Sequence, residues 1–131
     1  AELFDRPSHT FVGYFIGSPG MNVLPVQIDG SDAVIGDIRV PLPKTIPVPA
    51  GARIELGIRP EFVRLGREGM PVVIEKVEDI GRRKIVRTRF AGQPLTAVLA
   101  EDDDIPADAK VSFDPACINL YADSWRVKTE A

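Results

Sequence analysis

The sequence predicts a mainly β protein, either a small barrel or a sandwich of short strands. With 12 prolines and 11 glycines in 131 residues, short strands and many turns are favoured over long helices. In several runs apolar residues recur at every second position, which is the side-chain spacing of a strand. A short cassette of this kind occurs twice, and an internal repeat of a β unit says more about architecture than any single residue.

The two copies of the cassette share one pattern of apolar residues around a proline. They occupy residues 56–65 and 111–120, and corresponding positions such as Pro60 and Pro115 lie 55 residues apart. A proline removes a donor from the strand ladder and bends the chain. Each copy is therefore predicted to form a strand, a proline-centred corner and a second strand.

One short helix is predicted near the start, over residues 7–17. Pro7 suits the first turn of a helix, and the apolar side chains of the segment recur at helical spacing on one face. The Gly17–Gly20 segment contains two glycines and a proline and is expected to end the helix.

Beyond Gly20 the pattern alternates between strand and turn. A strand over 21–28 and a turn over 29–32 precede a hairpin over 33–40, whose tight turn is Gly36–Asp37. Prolines and a glycine keep residues 41–51 out of a sheet centre. The polar turn over 66–69 follows the first cassette and is the best candidate for an internal boundary.

The second half contains longer strands, predicted over 71–79, 84–90 and 94–100. Turns over 80–83 and 91–93 join them, and the acidic run at 101–104 is expected to be a solvated loop. The second cassette and a short tail that contains Trp125 complete the chain. Strands at this spacing are typical of small barrels and sandwiches.

Composition limits the classes of function. A chain of 131 residues forms one domain or two very small ones, and its net charge of −3 weakly opposes an all-over nucleic-acid-binding surface. The single cysteine, Cys117, permits no intrachain disulfide, which fits a reducing compartment. No apolar run is long enough to cross a bilayer, and the first residues lack both a signal-peptide pattern and an initiator methionine. We therefore expect the chain to be a piece of a longer protein.

The order of residues resembles one known family. Residues 2–7 and 11–25 are similar to the segment that leaves the ATPase domain in carbohydrate-importer ABC ATPases of the maltose, trehalose and glycerol-3-phosphate type. Gly57–Glu61 and Phe113–Ala116 resemble the two hallmark corners of the C-terminal regulatory region of that family, the TOBE domain. The resemblance spans essentially the whole chain and implies an OB-like small β-barrel built from the two cassettes, with one short N-terminal helix. It assigns residues 1–20 to a trailing helix and linker and residues 21–131 to the barrel.

The resemblance also implies a function. Regions of this kind are non-catalytic regulatory and dimerisation domains of importer ATP-binding subunits, located in the cytoplasm at the inner face of the membrane. The implied partners are a second copy of the subunit, its own ATPase domain, the membrane permease subunits and a regulatory protein, with no nucleic acid. ATP and Mg²⁺ would bind only in the ATPase domain, so no cofactor is expected here.

No catalytic, cofactor-binding or metal-binding residues are predicted in this chain. It lacks a G-x-x-x-x-G-K-[ST] loop, and without that loop no row of backbone N–H groups cradles a triphosphate. His9 is the only histidine and no cysteine lies near it in sequence, so a surface or cap-adjacent residue is expected rather than a catalytic base or metal ligand. Cys117 lies in an apolar stretch and is expected to be a buried, inert thiol.

The candidate interaction residues lie at the corners and in the tail. Arg59, Glu61 and Asp114 stand beside Pro60 and Pro115, where turn hydrogen bonds or an ion pair would brace the corner, or where another domain would make contact. Trp125 either covers an open end of the barrel or anchors a partner chain.

Two further functions stay open at this point. TOBE-like barrels of molybdate systems bind oxyanions, and the turns at 17–20 and 80–82 could supply the N–H groups such a site needs. An OB-like barrel could also bind single-stranded nucleic acid through Arg83, Arg87 and Arg89, which share one strand face. That mode also requires stacking aromatics, and Phe90 is predicted to point to the opposite face.

Overall fold

A computed structural model describes residues 9–10 and 20–127 of the chain. Its elements are strands and two single 3₁₀ turns, which confirms the mainly β class. The helix predicted over 7–17 lies outside the described residues, except for His9 and Thr10, and stays a prediction. The strands are β1 (Asn22–Pro25), β2 (Gln27–Asp29), β3 (Asp32–Ile35), β4 (Ile38–Pro41), β5 (Ile54–Ile58), β6 (Val63–Gly66), β7 (Met70–Pro71), β8 (Val73–Asp79), β9 (Arg83–Phe90), β10 (Gln93–Ala100), β11 (Lys110–Phe113), β12 (Asn119–Ala122) and β13 (Trp125–Arg126).

Both cassettes form the predicted strand, corner and strand. The corners are 3₁₀ turns at Pro60–Phe62 and Pro115–Cys117, so the 55-residue offset of the sequence holds in the structure. The arms pair crosswise, because β5 of the first copy pairs with β12 of the second, and β6 pairs with β11. Both pairings are antiparallel.

The chain divides into two compact units at the corners. The described residues up to Arg59 and from Pro115 to Val127 form one unit, and Pro60–Asp114 form the other. The boundary predicted over 66–69 was therefore wrong. That polar turn only connects β6 to β7, and both of these strands pair with β11 in one sheet.

The first unit contains two antiparallel sheets. The larger has the strand order β1-β5-β12-β13, and the smaller is the meander β2-β3-β4. The predicted first strand over 21–28 is split, because Val26 lies between β1 and β2 and donates its N–H to the carbonyl of Ile54. The core of the larger sheet is formed by fully buried side chains of β1, β5 and β12: Leu24, Leu56, Ile58, Leu120 and Tyr121.

Tyr121 is the largest fully buried side chain of the first unit. Its hydroxyl donates to the sulfur of Met21 at 3.5 Å. Burial raises the pKa of the Tyr121 phenol to about 12, although the charge of Arg126 opposes the shift. The neutral phenol is therefore the form that the folded chain holds.

The second unit also contains two antiparallel sheets. The order β10-β9-β8 forms one of them and β6-β11-β7 the other. The rings of Phe90 and Phe113 meet edge to face, with centroids 5.6 Å apart. Thr88 is buried in β9, and its hydroxyl donates to the carbonyl of Leu95 at 2.7 Å, which satisfies the hydroxyl inside the sheet.

Candidate interaction surfaces

The corner residues differ in exposure. Arg59 is buried at the end of β5, and Pro60 is buried at the start of the next turn, whereas Glu61 and Pro115 are exposed. The exposed side chains are therefore an acid, Glu61, at the first corner and two apolar residues, Pro115 and Ala116, at the second. The burial of Arg59 suits a residue that stabilises the corner, and the exposure of Glu61 suits a residue that contacts another domain.

Asp114 takes part in an ion pair beside the second corner. Its carboxylate oxygen Oδ2 lies 3.7 Å from Nη2 of Arg64 on β6. Arg64 is largely exposed, so the pair contributes at most about 1 kcal/mol. The sequence predicted an ion pair at a corner, and Arg64 is the partner that sequence reasoning missed.

The tail forms a tight hairpin that holds the start of β5. Asp123 and Ser124 both have positive φ, as required by the two-residue turn between β12 and β13. The carboxylate of Asp123 accepts the backbone N–H of Arg53 at 3.0 Å, and the guanidinium of Arg53 donates to Ser124 Oγ. The Asp-Ser dipeptide was the available sequence signal for this turn.

Trp125 lies exposed at the end of this hairpin. The residue is 62% accessible, and its indole meets the ring of His9 edge to face, with centroids 4.5 Å apart. The backbone N–H of Thr10 donates to the carbonyl of Ser124 next to it, so the described N-terminal residues are attached to the tail. The exposure of Trp125 favours the partner-anchor interpretation over a covered barrel end.

The face of β9 that carries arginines is balanced by acids on β8. Arg87 and Arg89 are exposed and alternate with buried residues, as predicted. Nε of Arg87 lies 3.1 Å from a carboxylate oxygen of Glu78, and Nε of Arg89 lies 3.4 Å from Glu75. These acids lower the positive charge available to phosphates, and Phe90 is buried on the opposite face, so neither charge nor stacking favours nucleic acid.

Neither of two candidate anion sites is well suited to an oxyanion. The N–H of Gly81 in the turn at 80–82 donates to the carboxylate of Asp79 at 3.2 Å, which places a negative charge at the turn. An open groove of about 550 Å³ lies beside Arg53 and β2, but the guanidinium of Arg53 already interacts with Ser124 and with Glu55. The turn at 17–20 lies outside the described residues, apart from Gly20.

Two general features complete the survey of the described chain. Within residues 9–10 and 20–127, no group of three or more His, Cys, Asp and Glu side chains is placed to hold a metal ion. The same residues contain no helix with the length and apolarity of a membrane span.

Cys117 is half-buried in the 3₁₀ turn of the second corner, so the prediction of a buried thiol was wrong. The corner turns the chain outward there, and both Pro115 and Ala116 are exposed.

Comparison with known proteins shows which family one part of the chain resembles. Residues 17–63, which include the first corner, match the family model of the MalK OB fold domain. Over this stretch the chain is similar to the MalK-type OB-fold family. The OB-like fold class expected from the resemblance is therefore confirmed.

The curated relatives of this chain are named as ATP-binding proteins of transport systems. An uncharacterized ABC transporter ATP-binding protein, y4oS, of Sinorhizobium fredii is 31% identical over 92% of this chain and 34% of its own length. An sn-glycerol-3-phosphate import ATP-binding protein, UgpC 2 of Agrobacterium fabrum, is 30% identical over 98% of this chain and 37% of its own. The UgpC protein of Paracoccus denitrificans is 42% identical over 75% of this chain and 28% of its own. The chain thus spans about a third of the length of the curated relatives it matches.

Proposed function

We propose that this chain is the non-catalytic regulatory and dimerisation domain of an ABC importer ATP-binding subunit for glycerol-3-phosphate or a sugar. The observation that carries the proposal is the similarity of nearly the whole chain to an sn-glycerol-3-phosphate import ATP-binding protein. The MalK-type OB-fold match supports the same assignment. In this proposal residues 1–20 are the helix and linker from the ATPase domain, and residues 21–131 are the regulatory domain.

A role in contact suits the surfaces of the chain. Glu61, Pro115 and Trp125 are exposed on short turns, whereas no nucleophile-and-base set was found in the sequence. ATP and Mg²⁺ are then held by the ATPase domain, and this domain biases the open and closed states of the ATPase dimer. A coupling free energy of about 1–3 kcal/mol is enough to change the ATPase rate noticeably.

The proposed partners follow from that role. They are a second copy of the subunit, the attached ATPase domain, the permease subunits in the membrane and a regulatory protein. The domain would then be located in the cytoplasm, at the inner face of the membrane. Glu61, Pro115 and Trp125 are the exposed residues we assign to these contacts, and Arg59, Pro60 and Asp114 are assigned to holding the corners in shape.

A chimera tests the transport role. This chain replaces the stretch it matches in the Paracoccus denitrificans UgpC protein, and glycerol-3-phosphate uptake is measured in cells that lack UgpC. We expect the chimera to transport, whereas a UgpC protein in which that stretch is deleted does not. If cells with the deleted UgpC protein took up glycerol-3-phosphate as fast as cells with the chimera, that result would contradict a regulatory or assembly role.

The purified chain tests the non-catalytic part of the proposal. We expect no ATP hydrolysis above the buffer rate, because no phosphate-binding loop occurs in the sequence. Sedimentation velocity over a range of protein concentrations should show dimers that form reversibly. Turnover of ATP by the chain alone would overturn the assignment.

A further inference from the structure

The β8 strand (Val73–Asp79) is an exposed edge of its sheet. It lies at the end of the order β10-β9-β8 and pairs only with β9. Val73, Val77 and the following Ile80 are 64%, 46% and 48% accessible, and together with Trp125 they are the exposed large hydrophobic residues of the described chain. Edge strands with exposed apolar side chains are templates for pairing with another strand.

The hydrogen bonds of the β8–β9 hairpin determine which main-chain groups of β8 face outward. The N–H of Ile80 donates to the carbonyl of Arg83, so these two residues form a hydrogen-bonded pair. Hydrogen-bonded and non-hydrogen-bonded pairs alternate along an antiparallel ladder. Val77, which is opposite Val86, and Asp79, which is opposite Lys84, therefore direct their N–H and C=O groups away from β9.

The charges next to Val77 complement each other. Lys76 and Glu78 flank it and project from the same face of the strand. Glu78 pairs with Arg87, but Lys76 makes no ion pair or side-chain hydrogen bond within the described residues, and its cross-strand neighbour is Arg87, a like charge. An acid on the open side of β8 would offset that repulsion.

We propose that β8 pairs antiparallel with β8 of a second copy of this chain, with Val77 opposite Val77 of the other copy. This inference rests on the proposed function, for which it supplies a dimerisation surface. The register lets the outward N–H and C=O of each Val77 bond to those of its counterpart. It also places Lys76 of each copy opposite Glu78 of the other, in a non-hydrogen-bonded pair whose side chains are close.

The second copy suits this edge because the strand is complementary to itself. One two-fold axis through Val77 forms two Lys76–Glu78 pairs at once, and it brings the Val73 end of one strand towards the Ile80 end of the other. The ladder is irregular between Ile74 and Lys76, which limits the new pairing to the few residues around Val77. A contact of this size gives a weak dimer that depends on concentration.

Cysteine cross-linking tests the register in the full 131-residue chain. Val77→Cys and, as a matched control, Val73→Cys are each made with Cys117→Ser, and disulfide formation is measured under mild oxidation. The two Cα atoms at position 77 would be about 5.5 Å apart, within disulfide reach. Those at position 73 would be roughly 25 Å apart. We expect dimers from Val77→Cys alone, although position 73 is the more exposed.

Charge reversal tests the same contact without a cross-link. Lys76→Glu should raise the dissociation constant of the dimer roughly tenfold at low salt, because two attractive pairs become repulsive. Adding Glu78→Lys to that variant restores both pairs and should recover dimerisation. Arg67→Glu makes the same charge change at an exposed turn of the same unit and should leave the dissociation constant unchanged.

The outcomes separate this inference from the proposed function. A reversible dimer that Lys76→Glu does not weaken and Val77→Cys does not cross-link would overturn the β8 contact, while dimerisation and the transport assay would still support the function. A chain that stays monomeric at every concentration would overturn the β8 contact and dimerisation together. A chimera that fails in transport while β8 still cross-links would overturn the transport role alone.

Discussion

Gly57 of the first cassette occupies a position where no side chain fits. A Cβ atom at Gly57 would lie 2.6 Å from a ring carbon of the buried Tyr121 and 2.9 Å from the sulfur of Met21. Met21 is flexible, but the ring of Tyr121 is fully buried in β12 and has little room to move. The glycine therefore leaves room for the Tyr121 ring and the Met21 side chain to lie against β5, a reason for glycine that apolar spacing alone does not reveal.

Replacing that glycine should destabilise the first unit. We expect Gly57→Ala to lower the free energy of unfolding by about 1–3 kcal/mol, the usual cost of overpacking a core. Gly66→Ala is the matched control, since nothing lies within 4 Å of a Cβ there, and it should change stability by less than about 0.5 kcal/mol. Urea unfolding measures both variants, and equal effects would contradict the packing argument.

The buried phenol of Tyr121 should make stability depend on alkaline pH. Its pKa is raised to about 12 in the folded chain and is about 10 when unfolded, so its contribution is complete below pH 10 and is lost between pH 10 and 12. Above that range the loss approaches about 2–3 kcal/mol. Tyr121→Phe should be similar in stability at pH 7 and increasingly more stable than the parent above pH 10. If the free energies of unfolding of Tyr121→Phe and of the parent changed in parallel from pH 10 to pH 12, that result would count against a buried phenol.

Among the elements, the hairpin turns were the part best predicted from sequence. Gly36–Asp37 joins β3 to β4 as expected, and Ala91–Gly92 joins β9 to β10 within the predicted turn. Both residues of the second turn have positive φ, 51° at Ala91 and 78° at Gly92. Glycine adopts such angles easily, whereas alanine does so at a cost, so this turn carries local strain.

Relieving that strain should stabilise the chain. Ala91→Asn creates an Asn-Gly turn, the preferred pair for positive φ at both positions, and we expect a gain of about 0.5–1 kcal/mol. Gly92→Ala in the same turn is the opposite change and should destabilise by a similar amount or more. Thermal unfolding of the two variants measures the difference, and a loss of stability from Ala91→Asn would show that the turn is not strained at Ala91.

Strand ends and breaks were harder to predict than turns. Residues 21–28 are mostly apolar and read as one strand, yet the chain leaves one sheet and enters another at Val26. Pro25, the last residue of β1, was a local signal for the break. Periodicity within a strand contains no information about which strand it pairs with, so the change of sheet could not be predicted. The ion pair of Asp114 with Arg64 and the attachment of Arg53 to Asp123 join residues 50 and 70 positions apart, and for the same reason sequence spacing missed them.

At the scale of the whole molecule, the repeat correctly predicted two corners. It did not predict that the corners are the boundaries between two compact units. The chain passes between the two units at both corners, so the first unit is built from the two ends of the described chain and the second from one continuous segment. A repeat suggests two similar halves in sequence order. The crosswise pairing of the arms, β5 with β12 and β6 with β11, instead places one arm of each copy in each unit.

A truncation tests this arrangement. A chain that ends at Asp114 lacks β12, which pairs with both β5 and β13 in the four-stranded sheet and contributes the buried Leu120 and Tyr121. We expect amide hydrogen exchange in β1 and β5 to become at least about a hundredfold faster, since local stability follows the lost burial and pairing. Amides of β9 and β10 should keep most of their protection, because their sheet lies wholly within the continuous segment. A chain that ends at Val127 is the control, and it should exchange like the parent. Retained protection of β5, or equal loss in β9 and β5, would mean that the units are not built as the pairing indicates.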